Sequence, residues 1–366
     1  DLENKNHCEV SRGEEIKRGQ KKTRETKEDA RSSEIAVLLS GGVDSSVALK
    51  LLVDQGFKVR AYYLKIWLED ELSHLSSCPW EEDLTYAQAV CSKLGVPLET
   101  VSLQREYWRD VVQYTLAEAR SGRTPNPDIM CNSRVKFGVF YDYVGRFHAK
   151  IASGHYAQVK LRAKTIKKSF SAGFRDDQTN AAITSAEVPD ADMQNLQADE
   201  NKIDNARNEE EVVLMRSPDP VKDQSYFLCN LSQQQLRRCI FPIGHLQKSQ
   251  VRALAEQFDL PTKARRDSQG ICFLGKIKFD DFIEHYLGTS PGPILCAESA
   301  VVVGEHRGLW FHTLGQRKGI GPLLYPGTVN AGPWYVCAKD VQRNVLFISN
   351  QTQQTDTFTQ HPEYVV

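Results

Sequence analysis

The chain has 366 residues, enough for two or three domains that each bury their own core. Its 40% hydrophobic and 25% charged content is that of a globular protein rather than a fibrous or disordered one. A formal net charge of −1 argues against a wholly basic nucleic-acid binder, although a local basic face remains compatible with it, and no apolar run reaches the ~20 residues that span a bilayer.

Residues 1–33 alternate Lys and Arg with Asp and Glu and hold almost no large apolar side chain, so a disordered tail is expected. A chain starting at Asp1 reads as a fragment or a processed form. The run Ile35-Ala36-Val37-Leu38-Leu39 predicts a buried strand, and Val47 to Leu52 a helix. Between them stands Ser40-Gly41-Gly42-Val43-Asp44-Ser45-Ser46, a strand-to-helix turn where backbone amides and the positive helix end converge on an anion. Gly41 and Gly42 admit close approach of a phosphate, and Ser40, Ser45 and Ser46 add hydroxyls. The Gly-Lys-Ser/Thr ending of the usual phosphate loop is missing, which argues against γ-phosphate chemistry of that type.

Further along, Val59–Leu64 and Val96–Val101 read as strands, Leu84–Leu94 and Tyr107–Arg120 as helices, and Lys150–Gly154 as a strand end. Alternating elements of this kind predict a parallel sheet covered by helices, with ligands beyond the carboxyl ends of its strands. Ser40–Ser46 and Gly154-His155 both fall at such ends. Residues 162–211 turn polar and are expected to be a disordered insertion. Residues 222–290 read as mostly helical, with Leu231–Ile240, Lys248–Phe258 and Phe279–Leu287 as helices. After Pro291-Gly292-Pro293, short runs such as Ala300–Val303, Trp310–Thr313 and Trp334–Ala338 predict a small β-barrel over 291–366.

The nine cysteines include no Cys-Xaa-Xaa-Cys pair and follow no secretory signal, so mostly reduced thiols are expected and no zinc site is. Cys131 sits in Thr124-Pro125-Asn126-Pro127-Asp128-Ile129-Met130-Cys131-Asn132, a loop stiffened by two prolines. Cys272 sits in Asp267-Ser268-Gln269-Gly270-Ile271-Cys272-Phe273-Leu274-Gly275. Taken singly, each cysteine reads as readily as a small core residue as a reagent.

Ser-Gly-Gly-Xaa-Asp-Ser resembles the pyrophosphate loop of ATP-dependent adenylating enzymes. With Thr-Pro-Asn-Pro-Asp-Ile-Met-Cys-Asn, Ser-Gly-His-Tyr-Ala, Lys-Asp-Gln-Ser-Tyr-Phe-Leu, Asp-Ser-Gln-Gly-Ile-Cys-Phe-Leu-Gly and His-Thr-Leu-Gly-Gln-Arg-Lys-Gly in this order, the chain resembles the tRNA-specific 2-thiouridylases. The resemblance runs from about Ile35 to Ile348. It implies a pyrophosphate-loop α/β domain over 34–221, a central helical tRNA-binding domain over 222–290, and a C-terminal β-barrel that is incomplete here.

By that likeness, ATP adenylates the carbon-2 oxygen of the wobble uridine, and sulfur arrives from a cysteine persulfide. Ser40, Gly41, Gly42, Val43, Asp44, Ser45, Ser46, Leu64 and Gly154 hold ATP, with Asp44 near the magnesium that enters with it. Cys272 carries the persulfide, Cys131 resolves it as a disulfide, and Asp128 is the acid/base. Asn126, Pro127, Asp128, His155, Lys222, Asp223 and Gln224 meet tRNA, whose target base is expected to be flipped out. Arg237, Arg238, Lys248, Arg252, Lys263, Arg265 and Arg266, with Arg317 and Lys318 in the barrel, are electrostatic candidates for its backbone.

The implied partners are wobble-uridine tRNAs for Lys, Glu and Gln, and a persulfide donor such as a cysteine desulfurase or relay protein; no membrane is implied. The insertion leans towards a eukaryotic, mitochondrial member, the bacterial alternative being cytoplasmic. Two other readings stay open: ATP-dependent amidation or lysine ligation on the same loop, and an RNA-binding protein without catalysis.

Overall fold

A computed structural model describes residues 33–66, 80–163, 210–266, 277–324 and 333–350. The expected tail, the interior of the 162–211 insertion, Cys272 with its motif, and the polar stretch after Asn350 lie outside the described residues.

Five parallel strands form the first sheet: β1 (Ile35–Leu38), β2 (Val59–Lys65), β3 (Leu98–Ser102), β4 (Lys150–Ala152) and a later strand, Cys239–Ile240, in the spatial order β3-β2-β1-β4 and then Cys239–Ile240. β1 is central and buried along its whole length, which explains its unbroken apolar sequence. Helix α1 (Val43–Asp54) follows β1 directly and buries Val43, Val47, Ala48, Leu49 and Leu52. Helix α2 (Trp80–Leu94) begins four residues before the expected start, where Glu81, Glu82 and Asp83 complement the positive helix end. Helix α3 (104–120) and helix α4 (127–143) each contain a π-helical stretch, Trp108–Val112 and Cys131–Val139.

The chain runs from β1 outward to β2 and β3, then crosses back to place β4 on the other side of β1. The crevice between the carboxyl ends of β1 and β4 is therefore the switch point of a doubly wound sheet, where such folds bind ligands.

Four expectations need correction. The 162–211 segment, expected to be disordered throughout, is ordered at both ends: β5 (Ala157–Ala163) and β6 (Glu210–Arg216) pair antiparallel, and Arg162 bonds Glu211 at 2.9 Å. The helix expected over Leu231–Ile240 is a short turn, Gln233–Leu236, followed by β7 (Cys239–Ile240), which adds to the parallel sheet beside β4. A two-residue strand has no periodicity to read. Helix α5 (Lys248–Gln257) packs on α1, so the segment from 222 contributes to the first layer instead of forming a separate helical unit. Finally, Trp310–Thr313 is not a strand; Leu309–Phe311 forms a 3₁₀ turn.

Helix α6 (Phe279–Leu287) packs against α3 through Phe282 and Ile283. The second sheet has the order β10 (Tyr335–Asp340), β11 (Val345–Ser349), β8 (Gly292–Cys296), β9 (Val302–His306). Ile294, Val303, Val336, Leu346 and Ile348 form its core. No helix among the described residues is long and apolar enough to cross a membrane.

Candidate active site

Gly42 is the N-cap of α1 and offers no side-chain acceptor, so the first-turn amides are left uncapped at the positive helix end. The loop before them holds its shape through its own hydroxyls. Ser45 Oγ accepts from Ser40 N at 3.2 Å and donates to Gly42 O at 3.1 Å, and Ser46 Oγ donates to Gly42 O at 2.7 Å. Ser46 is fully buried and Gly41 turns its carbonyl to Arg265 Nη1 at 2.7 Å, so these two members of the expected ATP set shape the loop from behind.

A cavity of about 320 Å³ opens at the switch point, a volume within the range of small-molecule sites. Its wall joins Ser40, Gly42, Val43, Asp44 and Ser45 to Leu64, Gly154, His155, Lys222, Gln224 and Cys131. Elements far apart in sequence therefore meet in one chamber. Gly154 is required by close approach: a Cβ there would lie 2.7 Å from Ser45 N and 2.8 Å from the Asp44 carbonyl carbon.

Asp44 Oδ1 takes 2.7 Å and 2.9 Å hydrogen bonds from Lys248 Nζ and Tyr156 OH. Behind the loop, Arg265 also bonds Asp83 at 2.7 Å and lies over the Tyr86 ring. Burial pushes the Asp83 carboxyl up in spite of that arginine. His155 Nδ1 is 2.8 Å from Ser153 Oγ, and burial, reinforced by Lys136, lowers its pKa to about 3. His155 is thus a neutral imidazole at physiological pH.

Cys131 is buried at the start of the π-helical stretch and reaches the cavity wall; it and the other described cysteines are thiols. Its helix is launched by Asn126, whose Oδ1 accepts from Ile129 N at 3.2 Å, and by Pro127 at the first helical position. Asn126 and Pro127 are thus committed to the cap, and Asp128 is half-buried three residues before the thiol without reaching the cavity wall.

The Lys222–Gln224 segment divides in the same way. Lys222 and Gln224 reach the cavity, and Gln224 Oε1 accepts from Tyr156 N at 3.0 Å. Asp223 instead accepts from Ser217 N at 3.1 Å and Ser225 Oγ at 2.8 Å; burial alone would raise its carboxyl, but these bonds hold it below the usual range. Arg266 lies on the cavity wall as the last described residue before the segment bearing Cys272.

Several residues expected to meet a tRNA backbone are already engaged. Lys248 pairs with Asp44, Lys263 with Asp259 at 2.8 Å, and Arg265 with Asp83, while Arg252 donates to the Arg265 carbonyl at 2.6 Å. Positive charge on a helix was the only signal for them, and it does not reveal partners.

Conversely, sequence reasoning missed Tyr156, Lys136, Asp83 and Asp219. Asp219 accepts from Val221 N, Lys222 N and Lys248 N at 2.6–2.8 Å, tying the Lys222 loop to the start of α5. The Ser217-Pro218-Asp219-Pro220 turn was the available hint.

The chain matches two family models, described as the tRNA methyl transferase HUP domain over residues 33–196 and 192–276 and the tRNA methyl transferase PRC-barrel domain over 280–350. It is 41% identical over 317 residues to the tRNA-specific 2-thiouridylase MnmA of Parabacteroides distasonis, covering 87% of this chain and 74% of that protein. It is 40% identical to the protein so named from Porphyromonas gingivalis, with 86% and 73% covered.

Proposed function

This chain belongs to the tRNA-specific 2-thiouridylase family, and we infer that it is a tRNA-uridine 2-sulfurtransferase that thiolates the wobble uridine of tRNA at the expense of ATP. One observation carries the reading. The helix-terminal anion loop Ser40–Ser45 and the Cys131 thiol line the same cavity, so an activating nucleotide and sulfur chemistry share one chamber.

ATP supplies the adenylyl group that makes the carbon-2 oxygen of uridine a leaving group. The uncapped amides of α1 bind its phosphates, and Gly154, by lacking a side chain, leaves the loop its shape. Both Asp44 bonds described above fall on Oδ1, and the hard oxygen chemistry of this carboxylate suits a magnesium ion brought by the nucleotide. Lys222 and Lys136 add positive charge beside the phosphates, and neutral His155 is a hydrogen-bonding group for the flipped base.

Cys272 carries the persulfide whose outer sulfur attacks carbon 2. Cys131 then attacks the inner sulfur, leaving sulfur on the base and a Cys131–Cys272 disulfide for an external thiol to reduce. The substrates are wobble-uridine tRNAs for Lys, Glu and Gln, and a cysteine desulfurase or relay protein is the donor. A mitochondrial address rests on the 162–211 segment alone, and the relatives reported above, which are bacterial, lend it no support.

The methyl-transfer wording of the family models suggests a second reading, but an anion loop facing a thiol is not what methyl transfer requires. Nucleoside mass spectrometry of tRNA incubated with the protein, ATP, magnesium, sulfide and a sulfonium methyl donor separates the two. A 2-thiouridine product is expected; methylated nucleosides, or neither product, would overturn the assignment.

A further inference from the structure

The barrel touches the catalytic domain at a mechanically informative place. Lys339, near the end of β10, donates from Nζ to the Gly122 carbonyl at 2.9 Å. Two residues on, Thr124 Oγ1 donates to Thr313 Oγ1 at 3.2 Å. Between these bonds the two surfaces are in direct contact, since a Cβ on Gly122 would lie 2.5 Å from Val341 Cγ2. On the other side, Arg123 closes a two-pronged ion pair on Glu118 at 2.6 and 2.8 Å. The turn 121–124 is thus gripped from both sides.

Little slack separates this grip from the reactive segment. Pro125 and Pro127 each lock a backbone torsion, and Asn126 caps the helix that delivers Cys131 to the cavity wall. Thr313 is itself fixed: its amide donates to Gln316 Oε1 at 2.9 Å, and Gly315 N donates to Val336 O at 2.7 Å.

We propose that Lys339 and Thr313 are positioning residues, by which the barrel sets the register of the Thr124–Cys131 segment in the active site. The proposal rests on the function assigned above for the meaning of Cys131. Burial lowers the Lys339 amine to about 8, and a long side chain brought out of water for one carbonyl is a poor stability device. Its worth lies in where it fixes that carbonyl.

The test uses the full chain, with Lys339→Met and Thr313→Val made separately. Hydrogen exchange is followed by mass spectrometry without ATP or tRNA. Amides of 121–131 should exchange about tenfold faster in either variant, while those of β1 and α1 keep wild-type protection. In the thiolation assay kcat should fall with KM for ATP unchanged, and Lys339→Arg should restore part of it.

Unchanged exchange in 121–131 would overturn the proposal, as would uniform acceleration across the chain, which would make Lys339 and Thr313 ordinary packing residues. Because exchange is read without substrates, a wild-type protein that fails to thiolate would sink the functional assignment and leave this inference standing or falling on its own measurement.

Discussion

Lys248 Nζ lies 2.7 Å from Oδ1 of Asp44 across 204 positions of the chain, and the same oxygen accepts from Tyr156 OH at 2.9 Å. The pair couples the first turn of α1 to the first turn of α5, with side-chain exposures of 26% and 19%. Lys248→Met leaves a half-buried carboxylate without its cation beside the phosphate loop. We expect a stability loss of about 1–2 kcal/mol, below that of a fully buried pair because water screens this one. KM for ATP should rise at least tenfold. A double-mutant cycle with Asp44→Asn should show a coupling of about 1–3 kcal/mol, and additivity would refute the linkage.

Gly154→Ala tests the switch-point geometry. The added methyl would meet Ser45 N at 2.7 Å and Asp44 C at 2.8 Å, both backbone atoms of a helix start that cannot swing aside. The β1–α1 turn must move. Pyrophosphate release dependent on tRNA should drop by two orders of magnitude or more, with folding retained by circular dichroism. Near-wild-type release would mean that the loop tolerates displacement and is not the phosphate cradle.

His155 is held at about 3, against an ordinary value of 6.5, by burial and Lys136. Its ring resonances should therefore not titrate between pH 5 and 8 in NMR spectra of the selectively labelled protein. The folded pKa is depressed, so the unfolded chain binds the proton first and His155 subtracts stability as pH falls from 6.5 towards 3. A titration midpoint near 6.5 would show a solvated, chargeable imidazole.

The barrel holds two more histidines shifted in the same direction. His306 and His312 are buried with ring centroids 5.9 Å apart, and burial lowers both, His312 to about 4. Neither ring nitrogen of His312 has a hydrogen-bond partner among the described residues. Protonation of the unfolded chain should cost up to about 1.4 kcal/mol per pH unit for His312 between pH 6.5 and 4, with His306 adding in the same direction. Denaturant melts from pH 7 to 5 should show this slope, reduced in His312→Phe; an equal slope in that variant would contradict the assignment.

Much of the site could be read directly along the chain. Ser40–Ser46 lies in a strand-to-helix turn because an apolar run stops at Leu39 and α1 begins at Val43, and both signals are local. Asn126 and Pro127 announce a helix start just as directly. The β7 strand was illegible because two residues carry no period, and its place is set by the edge of β4 that it covers.

Local sequence determined most of the longer strands and helices, because propensity, capping and hydrophobic period act over a few residues; the two-residue β7 and the Leu309–Phe311 turn escaped it. It also determined the family, through six motifs in order. Only the tertiary structure decided that Lys248 answers Asp44, that Arg265 holds Gly41, that Asp223 spends its carboxylate on its own loop, and that Lys339 reaches across to Gly122. A charge declares its sign in the sequence but not its partner. Partners are chosen when sheet order and packing bring distant residues within a few ångströms, where the cost of leaving a polar group unpaired exceeds the cost of ordering the side chain that meets it.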